Sequence, residues 1–327
     1  MAEYIVRRAL IMVITLAAIS LIAYVVIELP PGDYVSYQIQ IMVEQGTFSD
    51  EEVENLRKRY GLDRPITVRY FRWITNFIQG DFGYSLSWHK PVRELIGGRF
   101  AMTALISTLS LLFTWAVSFP IGVLSAVRQY SFWDIFWTFI GFLGLAIPNF
   151  LLALILMYLS PKIFPAVEIG GLFSREYQIA AWSWGKFWDL LGHLWIPVIV
   201  IGTAGTAGTI RILRANLIDE LRKPYVDMAR AKGISEVRTI LRYPVRIALN
   251  PFFSTVGWML PTLVAGETIT AVVLGIPTGG PMFLSALQRQ DMQLAASFVM
   301  LISVFTVVGT LVSDLLLAAI DPRIRFD

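Results

Sequence analysis

Few side chains in this sequence are suited to chemistry. It has two histidines, His89 and His193, and no cysteine, which excludes disulfides, thiolate metal sites and cysteine nucleophiles. Neither histidine has the His, Asp or Glu spacing typical of a metal site, so we predict no metal site and no catalytic residues. Glu267 is distinctive because it directly follows 20 residues without a charge. A carboxylate beside such a run is a candidate for function within a membrane.

A short basic stretch between two apolar runs has the features of a rigid surface helix. Pro224 suits the first helical position, and Gly233 suits the left-handed residue that follows a helix end. The nine residues of Pro224–Lys232 predict a helix about 13 Å long. Asp227 lies in its first turn and Arg230 in its last, so both charges are placed favourably for the helix dipole.

The surroundings of this helix indicate two possible roles. Met228, Ala229 and Ala231 are expected to form a surface of small residues, and Ser235 can start a second helix, predicted over Glu236–Tyr243. A short rigid helix held by two longer helices can act as a lever that transmits motion to them. The alternative is a basic loop that does nothing more than fix the topology.

The composition shows what kind of protein carries these residues. Of 327 residues, 56% are hydrophobic and only 16% are charged, against roughly 25% charged in a soluble domain. A soluble core of this size cannot hide so much apolar surface, and the same numbers exclude disorder. The sequence therefore predicts an all-α integral membrane protein, because helices satisfy their own backbone in lipid.

Long runs without charge locate the membrane helices. A helix needs about 20 apolar residues to cross a hydrocarbon core of roughly 30 Å, and six runs approach or exceed that length. We therefore predict six transmembrane helices. The runs are Ala9–Ile27, Ala101–Val127, Ile135–Pro161, Leu194–Ile210, Ile247–Gly266 and Leu294–Ser313.

The distribution of lysine and arginine predicts the orientation. With the N-terminus inside, segments 1–8, 128–134, 211–246 and 321–327 are internal and carry 14 Lys and Arg. The two short external loops carry 4, and loops longer than about 60 residues do not report orientation. Both termini are therefore predicted to be cytoplasmic, in a multi-pass membrane protein.

The long external segment after the first run contains two predicted helices. In the external part, Ser49 begins a capping-box helix, and a second helix starts at Pro65 and ends at Gly80, with Ile66, Tyr70, Ile74, Phe77 and Ile78 on its apolar face. This pair is expected to lie on the membrane surface; the alternative is a docking surface for an external partner.

The predicted topology divides the chain into four parts. They are an N-terminal transmembrane helix over 1–28, an extracytoplasmic helical segment over 29–100, a five-helix core over 101–320 that includes a cytoplasmic segment over 211–246, and a cytoplasmic tail over 321–327.

Residues 225–234, which read Y-V-D-M-A-R-A-K-G-I, resemble the EAA motif of ATP-binding cassette (ABC) importer permeases. They are most similar to the peptide/nickel permease family, whose version reads close to Y-V-x-x-A-R-A-K-G. Asp227, Ala229 and Gly233 match the motif, whereas Met228 departs from its first alanine. Other stretches fit the same family in the same order along the chain. They are P-G-D at 31–33, Y-G-L-D-R-P at 60–65, G-D-F-G-Y-S at 80–85 and D-P-R-I-R at 321–325.

The resemblance implies a type I importer permease fold and a division of labour among subunits. The partners it implies are a second homologous permease, two ATP-binding cassette ATPases inside and a solute-binding protein outside, besides membrane lipid; no nucleic acid is expected. ATP and Mg would be bound by the ATPases, so no cofactor is expected in this chain, which has no G-x-x-x-x-G-K-[ST] loop. The ATPase-coupling residues implied are Tyr225, Asp227, Met228, Ala229, Arg230, Ala231, Lys232 and Gly233.

The segment after Glu267 departs from the family pattern. The family usually reads E-T-V-F-x-x-P-G-x-G, whereas here the Pro and Gly turn around Pro277 comes later in the sequence. We expect this segment to dip back toward the pore. Glu267 is a candidate for the translocation pathway or gate, and a structural hydrogen bond at the outer end of a helix is the alternative.

Two other function classes make different demands on the sequence. A proton- or sodium-driven carrier predicts inverted repeats and acids or histidines at mid-membrane, and neither is found within the uncharged runs. An intramembrane enzyme needs a clustered metal or nucleophile set. The resemblance is therefore preferred, and it implies an importer of di- and oligopeptides in a prokaryotic plasma membrane, with oligosaccharides or nickel as alternative substrates. Tryptophans of one outer loop, Trp182, Trp184, Trp188 and Trp195, fit an interfacial belt, with sugar stacking as the alternative.

Overall fold

The computed structural model describes residues 2–28, 64–163 and 170–320, and it is helical apart from one two-stranded hairpin among these residues. The predicted helix after Ser49 and the tail over 321–327 lie outside the described residues. In chain order the elements are α1 Ala2–Glu28, α2 Ile66–Ile78, β1 Tyr84–Ser85, β2 Lys90–Pro91, α3 Val92–Val127, α4 Phe132–Ala146, α5 Asn149–Ile163, α6 Arg175–Gln178, α7 Trp184–Leu221, α8 Pro224–Ala231, α9 Glu236–Arg242, α10 Pro244–Ser254, α11 Val256–Leu274, α12 Gly279–Gln288 and α13 Met292–Ile320.

The helices long and apolar enough to cross a membrane match four of the predicted runs. Within the described residues these segments are Val6–Val25, Val92–Val127, Trp184–Leu221 and Met292–Ala318. The other two runs fall on pairs of helices bent at a short break. Counting each bent pair as one span brings the total to the predicted six.

The run Ile135–Pro161 is not the continuous helix that its composition suggests. Helices α4 and α5 meet at an angle of 103°. Ile147 is extended, with φ −80° and ψ 120°, because the following residue, Pro148, disfavours helical geometry before it and has no N–H to continue the ladder. The second bent pair comprises Glu236–Ser254 and Met259–Leu274 and has an angle of 55°.

By their internal contacts the residues form two compact units. Among the described residues, the first comprises 2–4, 104–163, 170–277 and 306–320, and the second comprises 5–28, 64–103 and 278–305. The grouping of 278–305 with the N-terminal hundred residues depends on contacts distant in sequence, which local patterns do not report.

In the second unit, α2 packs on α1. Its bounds confirm the predicted start at Pro65 and the end before Gly80, which has φ +81°. Tyr70 contacts the Tyr24 ring edge-on at 5.5 Å and shares a 2.8 Å hydrogen bond with the Ser20 hydroxyl. The predicted apolar face was wrong at both ends, because Ile66 and Ile78 are exposed, and Trp73 is the buried residue of this helix.

A buried carboxylate fastens the hairpin of this unit to the start of α13. Asp291 is fully buried and accepts hydrogen bonds from the Ser85 hydroxyl at 2.5 Å and from the Ser87 hydroxyl at 2.7 Å. The Ser87 N–H donates to the same carboxylate at 3.0 Å, and Gln293 accepts from the Tyr84 N–H at 2.7 Å. The G-D-F-G-Y-S motif therefore ends in a turn held by side chains more than 200 residues away.

The first unit is centred on α7, whose small residues let neighbouring helices approach closely. Thr114 of α3 donates to the Gly202 carbonyl at 2.7 Å, and Ser118 donates to the Thr206 carbonyl at 3.2 Å. A Cβ built on Gly202 would lie 2.9 Å from the Ser110 carbonyl oxygen, so this approach requires glycine. Small residues at helix contacts are typical of membrane proteins, because close approach replaces the hydrophobic drive that lipid removes.

Candidate functional site

The short predicted helix exists as α8, and two of its side chains fix it to the first unit. Pro224 occupies its first turn as predicted. Val226 is fully buried and Ala229 is 6% exposed, so the helix is anchored along its Val226–Ala229 edge. The expectation that Ala229 shares a surface with Met228 and Ala231 was therefore wrong. Met228 and Ala231 are three residues apart and share the exposed face, whereas Ala229 lies on the buried side of the helix.

Tyr225 ties the start of α8 to the end of α7. Its hydroxyl donates to the Glu220 carboxylate at 2.6 Å. Burial, then the hydrogen bond to Glu220 and its negative charge, raise the pKa of Tyr225 well above its usual value. The phenol thus stays protonated over the physiological range and keeps donating. This tyrosine holds the turn between the two helices rather than presenting its hydroxyl to a partner.

Gly233 ends the helix in the left-handed conformation that the sequence predicts. Its φ is +73°, and its N–H donates to the Arg230 carbonyl at 2.9 Å. The Ile234 N–H donates to the Ala229 carbonyl at 3.3 Å. This pair of bonds defines a Schellman motif, which satisfies carbonyls left over at the helix end and sets the direction of the exit.

Arg230 links the two helices on either side of that turn. Its guanidinium donates to both Glu236 oxygens, at 3.1 and 2.7 Å, and to Asp227 at 3.3 Å. The hydrogen bond to Glu236 is the main cause that raises the pKa of Arg230. Both acids are largely exposed, so solvent screens these pairs, and their effect is to orient α8 and α9 more than to stabilise them.

The exposed surface around α8 extends beyond the EAA-like motif onto α9. Asp227, Met228, Arg230, Ala231 and Lys232 of the predicted site are all exposed. Sequence reasoning missed the apolar residues of α9 that are also exposed, Val237 at 69% and Leu241 at 51%. They are four residues apart on a basic helix and so share one face, which is a signal the sequence did contain. The site offers a mixed apolar and charged surface suited to a protein partner.

Glu267 lies elsewhere, within α11. Its side chain is 1% exposed, and the helix continues for about two turns beyond it to Leu274, so its predicted place at the outer end of a helix was wrong. Helix α11 packs against α5 and α7. A Cβ on the neighbouring Gly266 would lie 3.4 Å from the amide nitrogen of Asn149, which shows how close α5 comes. The structure does not bring Glu267 together with the α8 residues in one site.

Sequence analysis also missed a buried ion pair between α4 and α7. Arg214 donates to both oxygens of Asp134, at 3.2 and 2.9 Å, and the Tyr130 N–H donates to the same carboxylate at 2.9 Å. Asp134 is 4% exposed. Its only sequence signal was its place directly before an uncharged run, and the partner 80 residues away could not be assigned from spacing.

The two histidines occupy unlike environments. His89 is exposed in the hairpin turn, whereas His193 is buried in α7, with its Nδ1 2.7 Å from the Asp189 carbonyl oxygen. Over the described ranges, no group of three or more His, Cys, Asp or Glu residues is arranged to hold a metal ion. Trp182, Trp184 and Trp188 are all largely exposed.

Residues 118–326 match the family described as "Binding-protein-dependent transport system inner membrane component". The chain belongs to this family. Residues 1–107 match its N-terminal component. The resemblance to ABC importer permeases is thereby confirmed, and with it the all-α type I ABC importer permease fold. The chain is a multi-pass membrane component of a transporter rather than an ATPase, and membership implies a substrate-binding protein and ATPases as partners.

Similar proteins cover the chain from end to end. The oligopeptide transport system permease protein AppB of Bacillus subtilis (strain 168) is 35% identical over 330 residues and covers 100% of both chains. The dipeptide transport system permease protein DppB of Escherichia coli (strain K12) is 29% identical over 340 residues, with 99% of each chain covered. The glutathione transport system permease protein GsiC of Salmonella paratyphi A is 30% identical over 329 residues and 100% of each chain.

Substitution of Gly233 tests the turn that sets the direction of α9. Gly233→Val should impose strain of on the order of 1–3 kcal/mol, because a β-branched residue disfavours positive φ. A new Cβ would meet no atom within 4 Å, so any effect comes from the backbone conformation and not from a clash. We expect the variant to insert normally but to lose ATPase co-purification or uptake. Both should be measured.

Gly233→Asn is the matched control, since asparagine tolerates the left-handed region and adds a side chain of similar size. It should retain uptake and ATPase binding. Full uptake in Gly233→Val would show that the turn has no mechanical importance.

Proposed function

We propose that this chain is one permease subunit of an ATP-driven importer of di- and oligopeptides. The observation that carries the proposal is the end-to-end similarity to permeases whose names specify oligopeptide, dipeptide and glutathione transport. These relatives favour peptides over the oligosaccharide and nickel alternatives. The chain would form half of the translocation pathway, and a second homologous permease would form the other half.

In this proposal, α8 transmits motion from the ATPases. Two ATPase subunits would bind ATP and Mg at the cytoplasmic side and contact Asp227, Met228, Arg230, Ala231 and Lys232. Their closure on ATP would displace α8, and hydrolysis would reset it. ATP can drive the cycle because it binds one of the two ATPase arrangements more tightly, which is what shifting a conformational equilibrium requires.

The packing of α8 supports this role for mechanical reasons. Val226 and Ala229 are buried, and Tyr225 is bonded to Glu220 at the end of α7. Helix α7 has 38 residues and is therefore about 57 Å long. Leu217 near its end belongs to a buried cluster with Ile240 of α9. A force on the exposed face of α8 would therefore act on a packed body rather than on a loose loop.

The substrate can be tested by uptake into sealed right-side-out vesicles. These contain the importer assembled with its own binding protein. Labelled dipeptides and tetrapeptides should accumulate when ATP is enclosed, and vesicles without ATP are the control. A labelled oligosaccharide and ⁶³Ni²⁺ should not accumulate. Uptake of either of these in place of the peptides would contradict the peptide assignment and leave the importer architecture unaffected.

The orientation follows from the charge bias and is proposed with both termini cytoplasmic. Because the chain has no cysteine, single cysteines can report it directly. In sealed right-side-out vesicles, a membrane-impermeant maleimide should label His89→Cys, since this exposed turn is assigned to the outside. It should label Ser235→Cys only after detergent is added. The reverse pattern would overturn the orientation.

We propose that Glu267 acts at the translocation pathway or gate. Its burial in α11 supports this, because ionisable side chains within membrane spans are rare and commonly mark transport pathways. Glu267→Gln keeps the size and removes the charge, and we expect uptake to fall about tenfold, which corresponds to roughly 1.4 kcal/mol. The ATPases should still co-purify.

Thr270→Val is the control for Glu267→Gln, because Thr270 is also fully buried on α11, one turn later. It removes a polar group without changing the charge and should leave uptake within about twofold. Normal transport by Glu267→Gln would assign Glu267 a purely structural role.

A further inference from the structure

A cavity of about 500 Å³ lies between α4 and α7 in the first unit. Its walls are mainly apolar, with Trp137, Gly141 and Phe142 from α4 and Ala207 and Ile210 from α7. One end is charged, because Asp134, Arg211 and Arg214 also line it. The volume is within the range of small-molecule sites, and an apolar body with one polar end has the form of a lipid.

The charged end carries a net positive charge. Arg214 is neutralised by its bidentate pair with Asp134. Arg211, one turn earlier on α7, has its guanidinium 5.3 Å from the centroid of the Phe142 ring. Within the described ranges no carboxylate pairs with Arg211, and its side chain is exposed. Its guanidinium N–H donors make no hydrogen bond to another described side chain and remain available to an anionic group.

The depth of the cavity in the membrane follows from the sequence on both walls. Arg211 is the first charge after the uncharged run that ends at Ile210, and Asp134 is the last charge before the run that starts at Ile135. The charged end therefore lies where hydrocarbon gives way to the polar interface, and the apolar walls extend toward the bilayer centre. Ile135 and Phe139 on these walls are 63% and 62% exposed, as expected of residues that meet acyl chains.

We propose that this cavity binds one anionic phospholipid, with its phosphate on Arg211 and an acyl chain along the apolar walls. The charge complementarity at interface depth selects this occupant, because basic pockets between transmembrane helices bind anionic headgroups. Arg214 is held by Asp134 and shapes the pocket, while Arg211 supplies the unmatched charge. The site is separate from α8 and from Glu267, so the lipid would bind independently of the transported substrate.

Lipid binding can be measured by native mass spectrometry on the importer purified with the subunits that accompany it. After delipidation, phosphatidylglycerol, phosphatidylcholine and inorganic phosphate are added separately. The wild-type protein should bind one added phosphatidylglycerol molecule, and it should bind phosphatidylcholine and phosphate far more weakly. Arg211→Gln should bind phosphatidylglycerol about tenfold more weakly, the expected effect of losing one charge-assisted hydrogen bond. Arg211→Lys should restore most of the binding, which separates a charge effect from misfolding.

Two further variants define the site. Arg128→Gln is the matched control, since Arg128 also directly follows an uncharged run, is exposed and does not line the cavity; it should bind as the wild type does. Thr138→Trp fills the cavity and should abolish retention of the phospholipid. Equal binding by Arg211→Gln, equal retention of phosphatidylcholine, or displacement of the lipid by millimolar phosphate would overturn the proposal. So would efficient crosslinking of Phe139→Cys to the second permease, because that subunit would then cover the cavity.

Discussion

A backbone amide in hydrocarbon has no water to bond, and this requirement shapes the molecule. It makes each apolar run helical and leaves irregular backbone only where protein packs around it or where the chain leaves the bilayer. Three of these irregular places bear on the direction of the helices. Ile147 is extended before Pro148, Gly233 has a φ of +73°, and Gly275 has a φ of +65°. Each is a place where a helix changes direction, so the same rule that makes the helices also isolates the turns that can move them.

The turn at Gly233 shows how such a point becomes mechanically useful. Its Schellman bonds leave the carbonyls of Arg230 and Ala229 satisfied without a side-chain cap, so α8 ends with no need of a partner subunit. Arg230 then crosses the turn to Glu236. On the opposite side, Val226 and Ala229 are buried. The helix is thus held along one edge and open along the other, and in the proposed coupling role the open edge would bind the ATPase.

Features that depend on neighbouring residues were predictable from the sequence. Features that depend on contacts between distant segments were not. The bounds of α2, the start of α8 at Pro224 and the positive φ of Gly233 were predicted because each depends on a few adjacent residues. The burial of Ala229 was not, because helix geometry places Ala229 and Ala231 on different sides but only tertiary packing decides which side is covered. The 103° bend was not predicted either, because composition alone does not distinguish one long helix from two joined at Pro148.

The same distinction explains the buried carboxylates, which local patterns did not reveal. Asp291 directly precedes α13 and bonds to serines of the hairpin, and Asp134 lies in the first turn of α4 and bonds to Arg214 of α7. Both lie at helix N-terminal ends, where the dipole and free N–H groups favour a negative charge. The free-energy cost of burying a carboxylate is lowest at these helix ends. A carboxylate there can join segments far apart in sequence without entering the apolar runs. Glu267 does not follow this rule, because it lies within α11 with helical turns on both sides. A carboxylate buried in the middle of a helix has no free N–H groups of a helix end beside it, so the surroundings of Glu267 differ in kind from those of the two aspartates.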